Sequence, residues 1–267
     1  SSRWRWPSPC SRANSAGRKT SPPARRERRT EMSAVFKREL ASYFKTPTGY
    51  IFMAVFMALS GLIFNFTTFM MSSSDTGTYF MFLLFVFIIV IPILTMKLLS
   101  EERKSRTEQI LLTSPVSIGG IITAKYLAAY VMFFITFALS EIIHFSFLSV
   151  YAEELNYAKI FGNFIGICLV GGAFIAIGLF LSSLTESQVV AAITTTGAII
   201  LLVCMSFAAN SVANDFLRLS LKWISILSRF SPFAYGIFDI PSVFYYISLS
   251  VIFVFLTVRV YEKRRWS

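Results

Sequence analysis

Six apolar runs divide the chain from residue 50 onward: Tyr50–Met71, Tyr79–Met96, Ile118–Leu139, Ile160–Leu184, Val189–Ala209 and Ser242–Val258. Each is close to the ~20 residues that an α-helix needs to cross a bilayer. One such run could be the core helix of a soluble domain, but six in 267 residues would have no soluble core large enough to hold them. The pattern predicts an all-α, polytopic membrane protein with six transmembrane helices.

Two polar-apolar segments outside the runs carry a pattern of their own. Ser33–Thr46 places Phe36, Leu40, Tyr43 and Phe44 on one helical face, with Lys37, Arg38, Ser42 and Lys45 opposite. That arrangement predicts an N-terminal amphipathic helix lying in the membrane interface, as an anchor or as a functional elbow. Pro47 and Gly49 then break the chain before the first span. Between the fifth and sixth runs, Asp215, Arg218, Lys222, Ser225 and Arg229 recur every three or four residues. This is a narrow polar stripe on an apolar helix, which would lie on the outer surface or dip back between spans.

Composition agrees with the pattern. Charged residues make up 15% and hydrophobic ones 55%, with a mean hydropathy of +0.64 and 28 Phe; soluble domains carry about a quarter charged residues. The net charge of +11 does not point to nucleic acid. Residues 1–31 hold nine basic residues against Glu27 and Glu31, so +7 of it sits in a Ser/Arg/Pro-rich tail without Leu, Ile, Val or Phe. That tail is expected to be disordered and outside the natural domain, which would run over residues 32–267 from Met32.

Charge also sets orientation. Twelve basic residues, among them Lys37, Arg38, Lys97, Arg103, Lys125 and Arg264, fall on one side of the spans, and only Lys159, Arg218, Lys222 and Arg229 on the other. The positive-inside rule puts both termini in the cytoplasm. Tyr245, Tyr246 and Trp266 are placed for an aromatic belt.

Few residues offer chemistry. Glu141 and His144 share a helix face; their distance from Lys125 puts them toward the outer interface, so the pair reads as interfacial, with a functional intramembrane pair as the alternative. Thr185 and Gln188 have the spacing of a capping box. Gly171, Gly172 and Gly178 suit close helix packing. Cys10, Cys168 and Cys204 form no CxxC pair, and one His leaves no basis for a zinc triad. No GxxxxGK[ST] loop is present, so ATP cannot be held that way.

The segment 101–117 (EERKSRTEQILLTSPVS) is the most informative. A dense charged run precedes Ile110-Leu111-Leu112, and Ser114-Pro115 has the form of an N-cap and N1 pair. A solvated loop has no need of an apolar triplet; a short helix docking on a partner, or resting on the membrane, does. From Thr107 to Ser117 this stretch resembles the loop after the second span of ABC-2-type transporter permeases. Ser182–Ala191 resembles that family's tight turn between spans four and five, and Gly236-Ile237-Phe238-Asp239, Tyr245-Tyr246 and Arg264-Arg265-Trp266 resemble the C-terminal end of its gliding-motility and copper-enzyme-maturation branch. Arg106 and Ala124 stand where that family commonly has glycine.

The resemblance covers residues 32–267 and implies a permease subunit of an ATP-binding cassette exporter in a bacterial inner membrane. Such a chain is not itself an enzyme and carries no cofactor. ATP and Mg would be held by a separate ATPase subunit, and the permease would pair with a second copy or a related permease within the lipid bilayer. It assigns ATPase coupling to a helix containing Glu101, Glu102, Arg103, Thr107, Glu108, Leu111, Leu112 and Pro115. It also favours re-entrant helices between spans five and six, with Phe233, Gly236 and Asp239 as an outer gate. Two rivals remain: a secondary transporter or channel, which would show charged mid-span residues, and an integral-membrane enzyme, which would show clustered acids or histidines.

Single cysteines in 72–78, 151–157 and 210–230 are expected to react with an impermeant thiol reagent added outside intact cells. Labelling of a cysteine at Ser105 under the same conditions would reverse the topology.

Overall fold

The computed structural model describes residues 26–70, 76–104, 117–151, 156–211 and 214–265. Among these residues there are ten α-helices and no strand: α1 (Arg26–Lys45), α2 (Pro47–Phe64), α3 (Thr76–Thr95), α4 (Ser100–Lys104), α5 (Ile118–Tyr151), α6 (Tyr157–Leu184), α7 (Gln188–Ser211), α8 (Asp215–Ile224), α9 (Ile226–Ala234) and α10 (Ile240–Arg265). Six stretches are long and apolar enough to cross a membrane: Pro47–Thr68, Thr76–Lys104, Ile118–Val150, Tyr157–Leu184, Gln188–Ala209 and Ile240–Arg264. The six expected spans are all present. The third runs well past its expected end at Leu139 and carries Glu141 and His144 with it.

Helix α1 starts at Arg26, so the last residues of the stretch expected to be disordered are helical. It packs on α5 and α2, turning Phe36, Glu39, Leu40 and Tyr43 partly inward and leaving Lys37, Arg38 and Phe44 exposed. Phe44 therefore departs from the packed face expected of it, and the acid Glu39 takes a place there. At the elbow into α2, Pro47 occupies the first helical turn, where no N–H is missed. A Cβ on Gly49 would lie 2.1 Å from the Tyr43 carbonyl oxygen, so only glycine lets the two helices meet this closely.

Helix α6 is the centre of the bundle, touching α3, α5, α7, α9 and α10. Its glycines explain the contacts. A Cβ on Gly171 would fall 2.4 Å from Cε1 and Cζ of Phe133 on α5, one on Gly178 2.4 Å from Thr95 Oγ1 on α3, and one on Gly166 2.9 Å from Phe230 on α9. Around them sits an aromatic core in which Phe87 meets Phe133 edge to face at 5.4 Å and Phe174 at 6.3 Å.

The polar stripe after span five is not one helix but two. Ser225 is extended between α8 and α9, and its hydroxyl accepts from Ser228 N–H at 3.1 Å and lies 2.8 Å from Ser206 Oγ. This serine cap breaks the helix, leaving α8 against α7 while α9 reaches in to α6, α7 and α3. Helix α9 then ends in a Schellman motif: Ile237 N–H donates to Pro232 O, and Gly236 N–H to Phe233 O, at 3.0 and 2.9 Å. Gly236 has φ +79°, the left-handed position that favours glycine.

Two further local expectations change. Tyr246 is fully buried, donating to Ile226 O at 2.8 Å, and fastens α9 to α10 instead of sitting in an aromatic belt. Thr185 accepts from Ser187 N–H at 3.0 Å, while Ser187 precedes α7 and faces Val190 N–H at 3.5 Å. The capping box is thus replaced by a tight hydroxyl turn.

Gly171→Val forces a branched side chain into Phe133 and is expected to lower stability by about 1–3 kcal/mol, read as an earlier thermal transition in detergent. Gly197→Ala, where a Cβ meets nothing within 4 Å, should leave the transition in place.

Candidate functional site

The basic ends of the spans are joined by a network centred on Lys125. This residue lies about two turns inside α5, and burial leaves its side chain 3% exposed. Its Nζ is 2.7 Å from Glu102 Oε1 on α4 and 3.1 Å from Glu39 Oε2 on α1. A buried ammonium is costly unless paired, and here two carboxylates from different helices converge on it. Next to the pair, burial and the Glu39 charge raise the Tyr43 hydroxyl above its ordinary pKa, which keeps it protonated. Lys97 Nζ donates to Thr48 Oγ1 at 3.0 Å, tying the end of span two to the start of span one. A cleft of about 380 Å³ opens between α1 and α4, lined by Arg38, Glu39, Tyr43, Lys97, Glu101 and Glu102 among others.

A second set of contacts runs from α4 to the turn between spans four and five. Arg103 Nη1 donates to Leu184 O at 2.9 Å, and its Nη2 is 3.1 Å from Glu186 Oε1. Glu186 is mostly exposed, so that ion pair contributes little; the carbonyl contact gives the direction. Ser182 Oγ accepts from the N–H groups of Leu99 and Ser100 at 3.3 and 3.2 Å. Those are donors at the start of a helix, which otherwise lack partners. From the last span, Arg264 Nη2 donates to Ser183 O at 2.8 Å. The short α4 is therefore held by α1, α5 and the end of α6 together.

Of the residues assigned to coupling, Glu101, Glu102 and Arg103 stand on α4 in this network, Glu101 exposed and the other two half-buried. Thr107, Glu108, Leu111, Leu112 and Pro115 lie outside the described residues. Within the described part, α5 begins at Ile118 with Ser117 Oγ accepting from Gly120 N–H at 3.3 Å. Sequence reasoning missed Glu39, Ser182 and the pairing role of Lys125. Two signals were available: an acid among the apolar positions of α1, and a lysine inside an apolar run.

The residues suggested as an outer gate gather at the opposite end. Phe233 is buried and meets Phe238 edge to face at 6.1 Å, and Gly236 closes the Schellman motif. Asp239 Oδ2 accepts from Ser242 N–H at 3.2 Å and caps α10. Arg229 stacks over Trp223 at 4.5 Å. Near this end Glu141 and His144 are buried within the bundle. Tyr79 donates to Glu141 Oε1 at 2.8 Å and lies 3.0 Å from His144 Nδ1. The thiol of Cys168 is buried and that of Cys204 exposed. Among the described residues, no group of His, Cys, Asp and Glu has the makings of a metal site.

Six spans, with one end laced by buried charge, define a multi-pass membrane protein. The family comparison carries this further: the family model described as ABC-2 family transporter protein matches residues 30–260. The chain belongs to that family, the membrane permease components of ABC transporters. Comparison with curated proteins gave no match.

Lys125→Met removes the ammonium that Glu39 and Glu102 share. It is expected to cost about 3–5 kcal/mol, measured as loss of the folded, monodisperse fraction on heating. Adding Glu39→Gln and Glu102→Gln should restore much of it.

Proposed function

We propose that the chain is the membrane half of an ATP-driven exporter, worked by a separate ATPase subunit that docks on residues 105–116 at the basic end. The observation that carries this reading is the lacing of α4. The docking segment follows α4 directly, and α4 is tied to α1 and α5 through Lys125 and to the end of α6 through Arg103 and Ser182. A displacement delivered to that segment reaches α1, α5 and α6 at once. Glu101, Glu102 and Arg103 are then the rigid root of the coupling element, and Ile110-Leu111-Leu112 its apolar plug.

In this reading ATP and Mg act on the partner subunit, and two permease chains pair because two ATPase subunits need two docking segments. The basic end faces the cytoplasm of a bacterial inner membrane with both termini, and α1 rests in the interface with its lysines and arginines outward. Phe233, Gly236 and Asp239 stand at the far end, where α9 dips among the spans and an outer gate belongs. The C-terminal motifs support the gliding-motility and copper-enzyme-maturation branch, and the apolar spans favour an amphipathic or peptidic cargo.

Leu111→Asp tests the docking. Burying an unpaired carboxylate costs several kcal/mol, so capture of the ATPase subunit by the tagged permease should fall by roughly a hundredfold or more. Membrane yield should be unchanged, and Leu111→Ala should be milder. Normal capture by Leu111→Asp would remove the segment from the docking surface.

A further inference from the structure

The most unusual group of side chains in the bundle lies far from the coupling end. His144 is nineteen positions beyond Lys125 on α5, about 28 Å along the axis at 1.5 Å per residue. Here Tyr79 of α3 stands between Glu141 and His144, its hydroxyl 2.8 Å from Glu141 Oε1 and 3.0 Å from His144 Nδ1. Phe64 stacks on the imidazole at 4.5 Å. All three polar side chains are buried, and the second carboxyl oxygen, Glu141 Oε2, has no hydrogen-bond partner. A buried acid left half satisfied asks for an explanation, and ionisable residues inside a membrane are functional by default.

Three neighbouring features bear on what the group could do. Glu141 and His144 line a small cavity of about 10 Å³ together with Thr68 and Thr76, whose hydroxyls suit the single water that such a space admits. On the other side His144 lines an open groove of about 390 Å³ with Gly61, Asn65 and Ser140. Its Nε2 is 4.0 Å from where a Cβ on Gly61 would stand, so that nitrogen faces the groove. Finally, α2 continues beside the cluster as a π-helix over Asn65–Met70, a form that recurs at functional sites.

We propose that Tyr79, Glu141 and His144 form a proton-binding site within the membrane, filled from the groove through His144 Nε2. The hydrogen-bonded chain has two complete arrangements. With Glu141 ionised, His144 Nδ1–H donates to the Tyr79 oxygen and Tyr79 O–H donates to Glu141 Oε1, leaving Nε2 bare toward the groove. A proton arriving at Nε2 releases the Nδ1 proton to Tyr79, and Tyr79 passes its own to Oε1. One proton has entered, Glu141 is neutral, the imidazole has changed tautomer, and every bond runs in reverse between the same atoms. Neither arrangement requires an imidazolium in the apolar bundle, and the charge that appears or vanishes is that of Glu141 alone.

Among the described residues, the Cys168 thiol of α6 is a further titratable group that interacts with the Glu141 charge. From α2 and its π-helical end come Gly61, Phe64 and Thr68, none of which titrates. The neutralised state suits a closed bundle, and the ionised state one in which water reaches the groove. The site thus links the packing of α2, α3 and α5 to the pH on its own side, independently of where an ATPase docks.

The chain has one histidine, so labelling with ¹⁵N-histidine reports His144 alone. In lipid nanodiscs, imidazole ¹⁵N spectra should show protonated Nδ1 and bare Nε2 at alkaline pH, the reverse at acid pH, and no stage at which both nitrogens carry protons. Tyr79→Phe and Glu141→Gln, both near-isosteric and checked for monodispersity, should abolish the switch. A wild-type imidazolium, a single tautomer throughout, or a switch that survives in well-folded Tyr79→Phe would each overturn the proposal. The wild-type titration decides alone if a variant fails to fold.

Discussion

Close approach to α6 is the constraint on which the bundle depends. In lipid an apolar side chain gains nothing by leaving the acyl chains for another helix, so association rests on packing contact and on hydrogen bonds. Glycine supplies both routes by bringing backbones near. Gly166, Gly171 and Gly178 each leave room that a neighbouring ring or hydroxyl fills, and the Tyr126 hydroxyl donates to the Gly172 carbonyl at 3.2 Å. Phe133, Thr95 and Phe230 are the matching projections from α5, α3 and α9. Lose that fit and five helices lose their common surface.

The two ends of this scaffold are built on different physics. At the basic end the polar groups are ionic and close to solvent, and Lys125 works because two acids from separate helices share it. Pairs of this kind add little net stability, but removing one member is costly, which makes them good fasteners between elements that must move together. At the far end the polar groups are neutral or singly charged and enclosed by aromatic rings. Hydrogen bonds among Tyr79, Glu141 and His144 are stronger in that low-dielectric setting, and a shift of one proton changes the whole chain. One end suits the transmission of force; the other suits sensing of solvent.

Short breaks between helices position both ends. The Pro47–Gly49 elbow folds α1 back beside α5, and the turn at Thr185–Ser187 brings α6 and α7 within reach of Arg103. Ser225 divides the polar stripe after span five so that α9 can enter the bundle while α8 stays on α7. In each case a proline, a glycine or a hydroxyl cap satisfies or removes the backbone donors that an interrupted helix exposes.

The sequence by itself determined the six spans, the helical class, the tight turn between spans four and five and the packing glycines. All of these follow from local quantities: length of apolar run, turn chemistry, residue size. It also singled out the charged segment at 101–117 as a candidate for partner docking or for resting on the membrane. Only the tertiary structure decided which polar residues are buried and with whom. Lys125 reads as one more interior-side cation until Glu39, more than eighty positions earlier, is folded against it. Glu141 and His144 read as a pair on one helix face until Tyr79 is placed between them, and Tyr246 reads as a belt residue until α9 presents the Ile226 carbonyl. Hydropathy reports how a residue prefers its solvent, and that preference is written along the chain. A hydrogen bond or ion pair between distant elements depends on which faces the packing of α6 brings together, and no stretch of sequence contains that information alone.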